Sequence, residues 1–365
     1  CIRDRCNPRG QGNWSEKYMN RRDLLRMSVA AGLTGAMGLG PSWAIAEPNG
    51  IPKPRRLAAG NTIGLIAPAG PSSDDESVRF SIELLESFGF RVRQGKHVFE
   101  RDQYLAGDDR DRASDVNAMF ADDDIDAIFT LRGGYGTQRI LPLLDYDLIR
   151  ANPKVFIGSS DITGILIAMF EKTGLVGFHG PSAGGNYSDY ALEEWRKVLW
   201  QPAQRTRIGA APSIEARPGL VERKNRITRF AGGTAEGRLI GGNLTIVSTL
   251  MGTPYEPDFR DRIIFLEDVN EAPYRIDRML TQLWLAGKLQ HAAGIAFGKF
   301  TKTEDDGNTF SIEEIIKRRC GSLGIPVVSG LMIGHIADKT TVPVGIKARL
   351  DADAGTLELL EPAVT

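Results

Sequence analysis

The chain reads as an α/β protein: a doubly wound parallel sheet in its first half, then a second, smaller α/β unit. Three observations predict this. Short apolar runs alternate with stretches of helical spacing. Those runs stop at Gly- or Ser-rich turns. A more irregular, Arg-, Pro- and Gly-rich stretch near 205–235 separates two such series. In doubly wound sheets, sites form beyond the carboxyl ends of the strands, so the turns that close the apolar runs are where chemistry is sought.

The 365 residues are 42% hydrophobic and 25% charged, ordinary for a globular chain long enough for two domains. Residues 1–46 read as a leader. Paired arginines (Arg21, Arg22) precede the uncharged, Gly-rich run from Ser28, and Ala44-Ile45-Ala46 ends it before Pro48. This fits a twin-arginine export signal cleaved after Ala46 and a periplasmic location. The alternative, an anchor helix, is short and broken by Gly and Pro. Without those residues 38 basic and 43 acidic side chains remain, net −5, which points away from nucleic acid. Cys320 is then alone, so no intrachain disulfide is expected, and the thiol reads as buried.

The first series runs NTIGLIAPAG as a strand, 77–88 as a helix and FRVRQG as a strand. It continues with 111–120 as a helix, 125–131 as a strand, 137–144 as a helix, and 155–157 as a strand. The second begins near Glu236: GRLIGGNL, helix 245–251, strand RIIFLED, helix 274–286, strand GIAFGKF, helix 311–320 and strand IPVVSG. A C-terminal hairpin turns around Asp353-Ala354-Gly355. The expected boundaries are 55–204, a linker with a hairpin at 205–235, and 236–365.

The most informative stretch is KVFIGSSDITGILIAMF. An apolar strand ends at Ser159-Ser160, and a helix begins at once behind Asp161. A serine on such a turn has its hydroxyl displayed, with backbone N–H groups beside it. Ser160 or Asp161 as a helix cap is the competing reading. A nucleophilic serine needs a base and an orienting group. Of four histidines, His97 and His291 read as surface, while His179 (GFHGP) and His335 (a Gly-rich loop) are candidates. Glu267 ends the apolar strand IIFLE, where a charge needs a partner. Asp268 and Glu271 follow closely, and physics alone leaves the choice among the three open. Arg132-Gly133-Gly134-Tyr135-Gly136 ends another strand; it lacks nucleotide-loop spacing but allows close backbone approach and an oxyanion donor. Asp122–Asp126 and Glu304–Gly307 read as solvated turns. No HExxH or CxxC is present, so no metal or other cofactor is expected.

Taken together, IAPAGP (66–71), LRGGYGTQRILPLLDY (131–146), KVFIGSSDITGIL (154–166), GFHGP (177–181), GRLIGGNLTIVSTLMGTPY (237–255), FLEDVNEAPYRIDRML (265–280) and GLMIGHIADKTTVPVG (330–345) resemble the serine LD-carboxypeptidases of murein recycling. The resemblance implies a flavodoxin-like N-terminal domain, a smaller C-terminal domain and a site between them. It implies a Ser160–His335–Glu267 triad, with Asp161 and Gly134 forming the oxyanion hole. Arg132, Gly133, Tyr135, His179, Asn243 and Arg275 are the expected substrate contacts. Arg132, Arg275 and Arg278 are the cations available for a terminal carboxylate. The implied reaction removes the terminal D-alanine from murein tetrapeptides through an acyl-enzyme. A homodimer without a membrane span is expected after leader removal. Two departures are visible: Ser159 stands where relatives carry Tyr or Phe, and Asp338-Lys339 where an Asn is usual. The alternatives are a relative that cleaves peptidyl-nucleotide antibiotics, and an exported peptide-binding protein without catalysis.

Overall fold

A computed structural model of the chain describes residues 50–212, 218–219, 221–303 and 307–365. The leader expected at 1–46 and the acidic residues 304–306 lie outside the described residues. Residues 48–365 form one compact unit.

Two sheets organise it. In the first, β1 (Thr62–Ile66), β2 (Arg91–Gln94), β3 (Ala127–Thr130), β4 (Val155–Gly158) and β5 (Gly177–His179) are parallel, in the order 2-1-3-4-5. That is the flavodoxin order, whose switch point falls between β1 and β3. The strands β1, β3, β4 and β5 are buried throughout, as their continuous apolar runs require. Around them run α1 (Asp75–Ser87), α2 (Asp109–Ala121), α3 (Thr137–Ile140), α4 (Tyr146–Ala151), α5 (Thr163–Thr173) and α6 (Asp189–Leu199). Side-chain caps start several of them: Asp74 accepts the Ser77 N–H at 2.7 Å, and Ser188 that of Ala191 at 3.2 Å.

The second sheet has β6 (Thr206–Ile208), β7 (Thr228–Ala231), β8 (Thr234–Asn243), β9 (Arg262–Val269), β10 (Gly294–Thr301), β11 (Val327–Ser329), β13 (Lys347–Asp351) and β14 (Thr356–Leu359). β8 to β11 are parallel and form its centre; the others flank them antiparallel. Helices α7 (Leu244–Thr249), α8 (Pro273–Leu285) and α9 (Ile312–Cys320) belong to this half. The expected C-terminal hairpin is β13–β14.

Three features differ from the sequence reading. The stretch 205–235 holds no hairpin among its described residues: β6 and β7 sit at opposite edges of the eight-stranded sheet. Its strands pair with distant partners, which local composition does not reveal. Helix 137–144 is shorter, because Pro142 turns its second half into a 3₁₀ segment over Leu141–Leu143. A strand passed over by pattern, β12 (Val342–Val344), leaves the C-terminal half to pair antiparallel with β5 in the first sheet. Its central Pro343 argues against a strand, but β12 is an edge strand, where a missing N–H is tolerated.

Helix α5 is buried on every side from Thr163 to Phe170 and touches both β5 and β8. A helix apolar on all faces over most of its length is stable only inside, and this one lies between the sheets. Among the described residues, no helix is long and apolar enough to cross a membrane.

Candidate active site

The carboxyl ends of β1, β3 and β4 carry the first part of the site. Ser160 follows β4 at φ +62°, the left-handed region that a non-glycine residue rarely enters. Ser159 before it is extended, and a 3₁₀ turn over Ser160–Ile162 runs into α5. The backbone thus turns sharply at Ser160, as a displayed nucleophile requires. Neither Ser160 nor Asp161 is the N-cap: that position falls to Ser159 for the 3₁₀ turn and to Ile162 for α5, and neither of these caps through its side chain. Asp161 is buried and faces inward. Its Oδ2 accepts the Thr137 N–H at 2.8 Å, and its carbonyl accepts the Thr137 hydroxyl at 2.6 Å. Burial pushes its carboxyl above the usual range, opposed by the Thr137 N–H.

The Arg-Gly-Gly-Tyr-Gly loop lies against this turn. A Cβ on Gly133 would stand 2.7 Å from Ser160 Cβ and 3.2 Å from Asp161 N, so only glycine fits there. The Gly133 carbonyl accepts the Gly70 N–H at 3.1 Å. In a trans peptide, N–H and C=O point oppositely, so the Gly134 N–H faces away from Gly70. Arg112, buried in α2, braces the same loops. Its guanidinium donates to the carbonyls of Pro68 (2.7 Å), Gly136 (3.0 Å) and Gly107 (3.3 Å) and pairs with Asp109. Tyr135 is exposed and packs edge-on against Tyr104, centroids 5.6 Å apart. Arg132 is exposed, and its guanidinium donates to the Pro71 carbonyl at 3.3 Å.

The second part comes from the eight-stranded sheet. Glu267 is fully buried near the end of β9. Its Oε2 lies 2.7 Å from His335 Nδ1, so the other ring nitrogen of His335 is left to act on a substrate or a hydroxyl. Gly334, at φ +134°, makes this approach possible: a Cβ there would be 3.1 Å from Glu267 Oε2. The carboxylates that the sequence left open are now separated. Asp268 is committed to the Asn243 amide (2.8 Å) and to the N–H (2.9 Å) and hydroxyl (2.9 Å) of Thr245. Glu271 lies beside Arg275, at 3.6 Å. Burial raises the Asp268 carboxyl.

Two chains of contact bring Glu267 to the nucleophile turn. Asn243 pairs in register with Glu267, and its N–H donates to the hydroxyl of Thr163, three residues after Ser160. His179 pairs in register with Gly158, two residues before Ser160, and its Nε2 lies 3.7 Å from Glu267 Oε1. Ser160 Oγ has no hydrogen-bond partner among the described residues.

The expected substrate contacts therefore divide. Arg132, Gly133 and Tyr135 belong to the loop at Ser160. Asn243 and His179 are buried, and Asn243 has both amide atoms engaged, its Oδ1 capping α7 at Ile246 N (3.2 Å). Arg275 is exposed near the start of α8; Arg275 and Arg278 both stand over the Tyr274 ring, 5.9 and 5.7 Å from its centroid. His291 is exposed as expected, and Cys320 is buried, its thiol pushed up to about 12 by burial. His97 differs: it is buried, not at the surface. Its Nδ1 lies 2.5 Å from Glu100, its Nε2 3.6 Å from Asp111, and its backbone N–H donates to Asp115 at 3.0 Å. Glu100 bonds the ring and Asp111 lies beside it, while Asp115 holds the backbone, so a ring that its polar flanking sequence predicts in solvent is buried. His97, Glu100 and Asp111 are also close enough together to hold a cation.

This architecture defines a two-sheet α/β protein with a strained serine turn on one sheet and a His–Glu pair on the other. Residues 63–180 match the LD-carboxypeptidase N-terminal domain and 236–350 the LD-carboxypeptidase C-terminal domain; the chain belongs to the LD-carboxypeptidase family. It is 38% identical over 311 residues to the probable murein peptide carboxypeptidase of Bacillus subtilis, covering 82% of this chain and 91% of that one. Among solved structures it resembles the microcin C7 self-immunity protein MccF of Escherichia coli in complex with aspartyl sulfamoyl adenosine. That match has a TM-score of 0.77 and 29% identity, over 86% of this chain and 99% of that one. The muramoyltetrapeptide carboxypeptidase of Oxalobacter formigenes matches at TM-score 0.69 and 32% identity, over 82% and 98%.

Proposed function

We propose that this carboxypeptidase relative is a serine-type LD-carboxypeptidase that removes the terminal D-alanine from murein tetrapeptides. The observation that carries the reading is Ser160 at φ +62° on a strand-to-helix turn, linked through β5 and β8 to a buried Glu267 that holds His335. Glu267 accepts the Nδ1 proton of His335 and fixes the tautomer, leaving Nε2 basic. Nε2 takes the Ser160 proton as Oγ bonds to the carbonyl carbon between the L-centre and D-alanine. The oxyanion is met by the N–H groups of Asp161 and Gly134; loss of one such donor lowers the rate by about 10²- to 10³-fold. When the C–N bond breaks, Nε2 returns the proton to the departing amine. Water, activated by the same nitrogen, then cleaves the ester. Arg132, one residue from Gly133, is the cation assigned to the terminal carboxylate.

The test is incubation of the full chain with murein tetrapeptide and mass detection of tripeptide and D-alanine. Ser160→Ala is expected to remove nearly all turnover, by about 10⁴-fold or more, while keeping ligand affinity. No D-alanine from the wild type, or undiminished release by the variant, sinks the reading. The likeness to MccF favours a second substrate class, aminoacyl sulfamoyl nucleosides. Parallel incubation with aspartyl sulfamoyl adenosine separates the two. From the paired arginines Arg21 and Arg22 we further propose export to the periplasm, with action on stem peptides there, and we propose a homodimer. Full-length protein confined to the cytosol after fractionation would refute the location, and a monomeric sedimentation mass the assembly.

A further inference from the structure

The acid–base pair has a third member that the triad leaves out. His179 is the last residue of β5 and is buried on all sides. Its neighbours are structurally decisive. On one side it pairs in register with Gly158, at the end of the strand that carries Ser160. On the other it pairs with Val342, in the strand that follows the His335 loop. Its ring packs edge-on against Phe265, centroids 5.6 Å apart, two residues before Glu267. The Nε2 faces Glu267 Oε1 at 3.7 Å. Glu267 thus has one oxygen bonded to His335 and the other directed at His179. Oε1 is buried without a hydrogen-bond partner among the described residues, and so is His179 Nδ1. A buried carboxylate oxygen left bare is costly, and the imidazole is the donor in front of it.

We infer that His179 is a positioning residue: its Nε2–H is the second donor to Glu267, turning the carboxylate so that Oε2 meets His335. The inference rests on the hydrolase reading above. The 3.7 Å separation is longer than a hydrogen bond, and a small rotation of the imidazole and the carboxylate closes it in the free site. Burial pushes His179 down to about 3, so it is neutral near pH 7 and carries one N–H. The charged and titratable groups around it are Glu267, His335 and Lys339; Asp268 adjoins Glu267. A neutral donor suits this place. An imidazolium there would compete with His335 for Glu267, whereas a neutral N–H orients the carboxylate and leaves its charge for His335. His179 also couples the sheets, because one residue fixes its backbone to the nucleophile strand and its side chain to the glutamate.

The experiment has an arm that needs no turnover. In the full-length wild type, imidazole ¹⁵N shifts are expected to report His179 as neutral and protonated at Nε2; the Nδ1–H tautomer overturns the inference. His335 is followed by the same spectra through a pH titration. In His179→Leu the midpoint of His335 is expected to move to higher pH, because a carboxylate with one donor fewer holds the imidazolium proton more tightly. In His179→Gln, which restores an amide N–H near Nε2, the midpoint returns toward wild type. An unmoved midpoint in a folded Leu variant overturns the inference. With tetrapeptide, kcat in the Leu variant falls about 10- to 100-fold with KM within twofold, and Gln recovers most of it. A loss carried by KM instead makes His179 a substrate contact and overturns the positioning role. If the wild type turns over no tetrapeptide, the hydrolase reading fails while the tautomer and titration still decide on His179.

Discussion

The Ser160 turn and the His335 loop reach the site by different means. Ser160 is placed by backbone. Its φ is positive, Gly133 abuts it, Asp161 is tied to Thr137, and a helix buried from Thr163 to Phe170 follows. His335 is placed by a side-chain pairing: a loop with Gly334 brings its ring to Glu267, and it keeps 25% of its side chain exposed. A backbone device has little freedom, since strain at one residue persists only where its surroundings over-determine it. A side-chain pair has more, because its geometry depends on partners from a strand and a separate loop. The difference teaches that the nucleophile is fixed by local chain path, and the acid–base pair by tertiary pairing.

The largest expected effect breaks the second arrangement. Glu267→Gln removes the charge facing His335 while keeping the volume. Its kcat/KM on tetrapeptide is expected to fall about 10³- to 10⁴-fold, since the wrong tautomer of His335 becomes available. Steady-state kinetics beside a circular dichroism spectrum checks this, and a loss under tenfold would mean that Glu267 does not orient the base.

A smaller effect probes the first arrangement. Gly133→Ala puts a methyl 2.7 Å from Ser160 Cβ and 3.0 Å from the Ser159 carbonyl, so the turn must shift. We expect a loss of about 10- to 100-fold in kcat and about 1–3 kcal/mol of stability by denaturant titration. Unchanged kcat with lowered stability would show that the turn tolerates displacement, contrary to a backbone-fixed nucleophile.

The smallest effect concerns His179 and is read in stability rather than rate. The folded-state value of His179, about 3, lies below its ordinary value of 6.5. As pH falls below about 6.5, the unfolded chain takes up that proton before the folded one does. The stabilisation is therefore complete above 6.5 and is lost progressively toward 3. Its slope is at most about 1.4 kcal/mol per pH unit. Denaturant titrations between pH 7 and 4 should show a flatter decline for His179→Leu than for the wild type. Parallel declines would place the ring in a less buried setting.

Much of this was legible in the chain. The strand-then-helix alternation located β1, β3, β4, β9 and β10, because each is a continuous apolar run in a sheet covered on both faces. Ser160, Gly133 and Asp161 were legible too, since local residues build that turn. Other features were not. β12 is three residues with a central proline, and its partner lies more than 160 residues earlier in the chain. His97 looked solvent-facing because its burial is made by carboxylates from a separate helix. Asn243, an expected substrate contact, has an amide that caps α7 and holds Asp268, partners that no local pattern announces.

Composition and pattern thus determined the class of fold and the turn that displays Ser160, because hydrophobic periodicity and glycine tolerance act over a few residues. Only the tertiary structure decided that Glu267, not Asp268 or Glu271, meets His335, and that His179 faces the same carboxylate. A buried charge is assigned by whichever donor long-range strand pairing sets before it, and no local pattern encodes that donor.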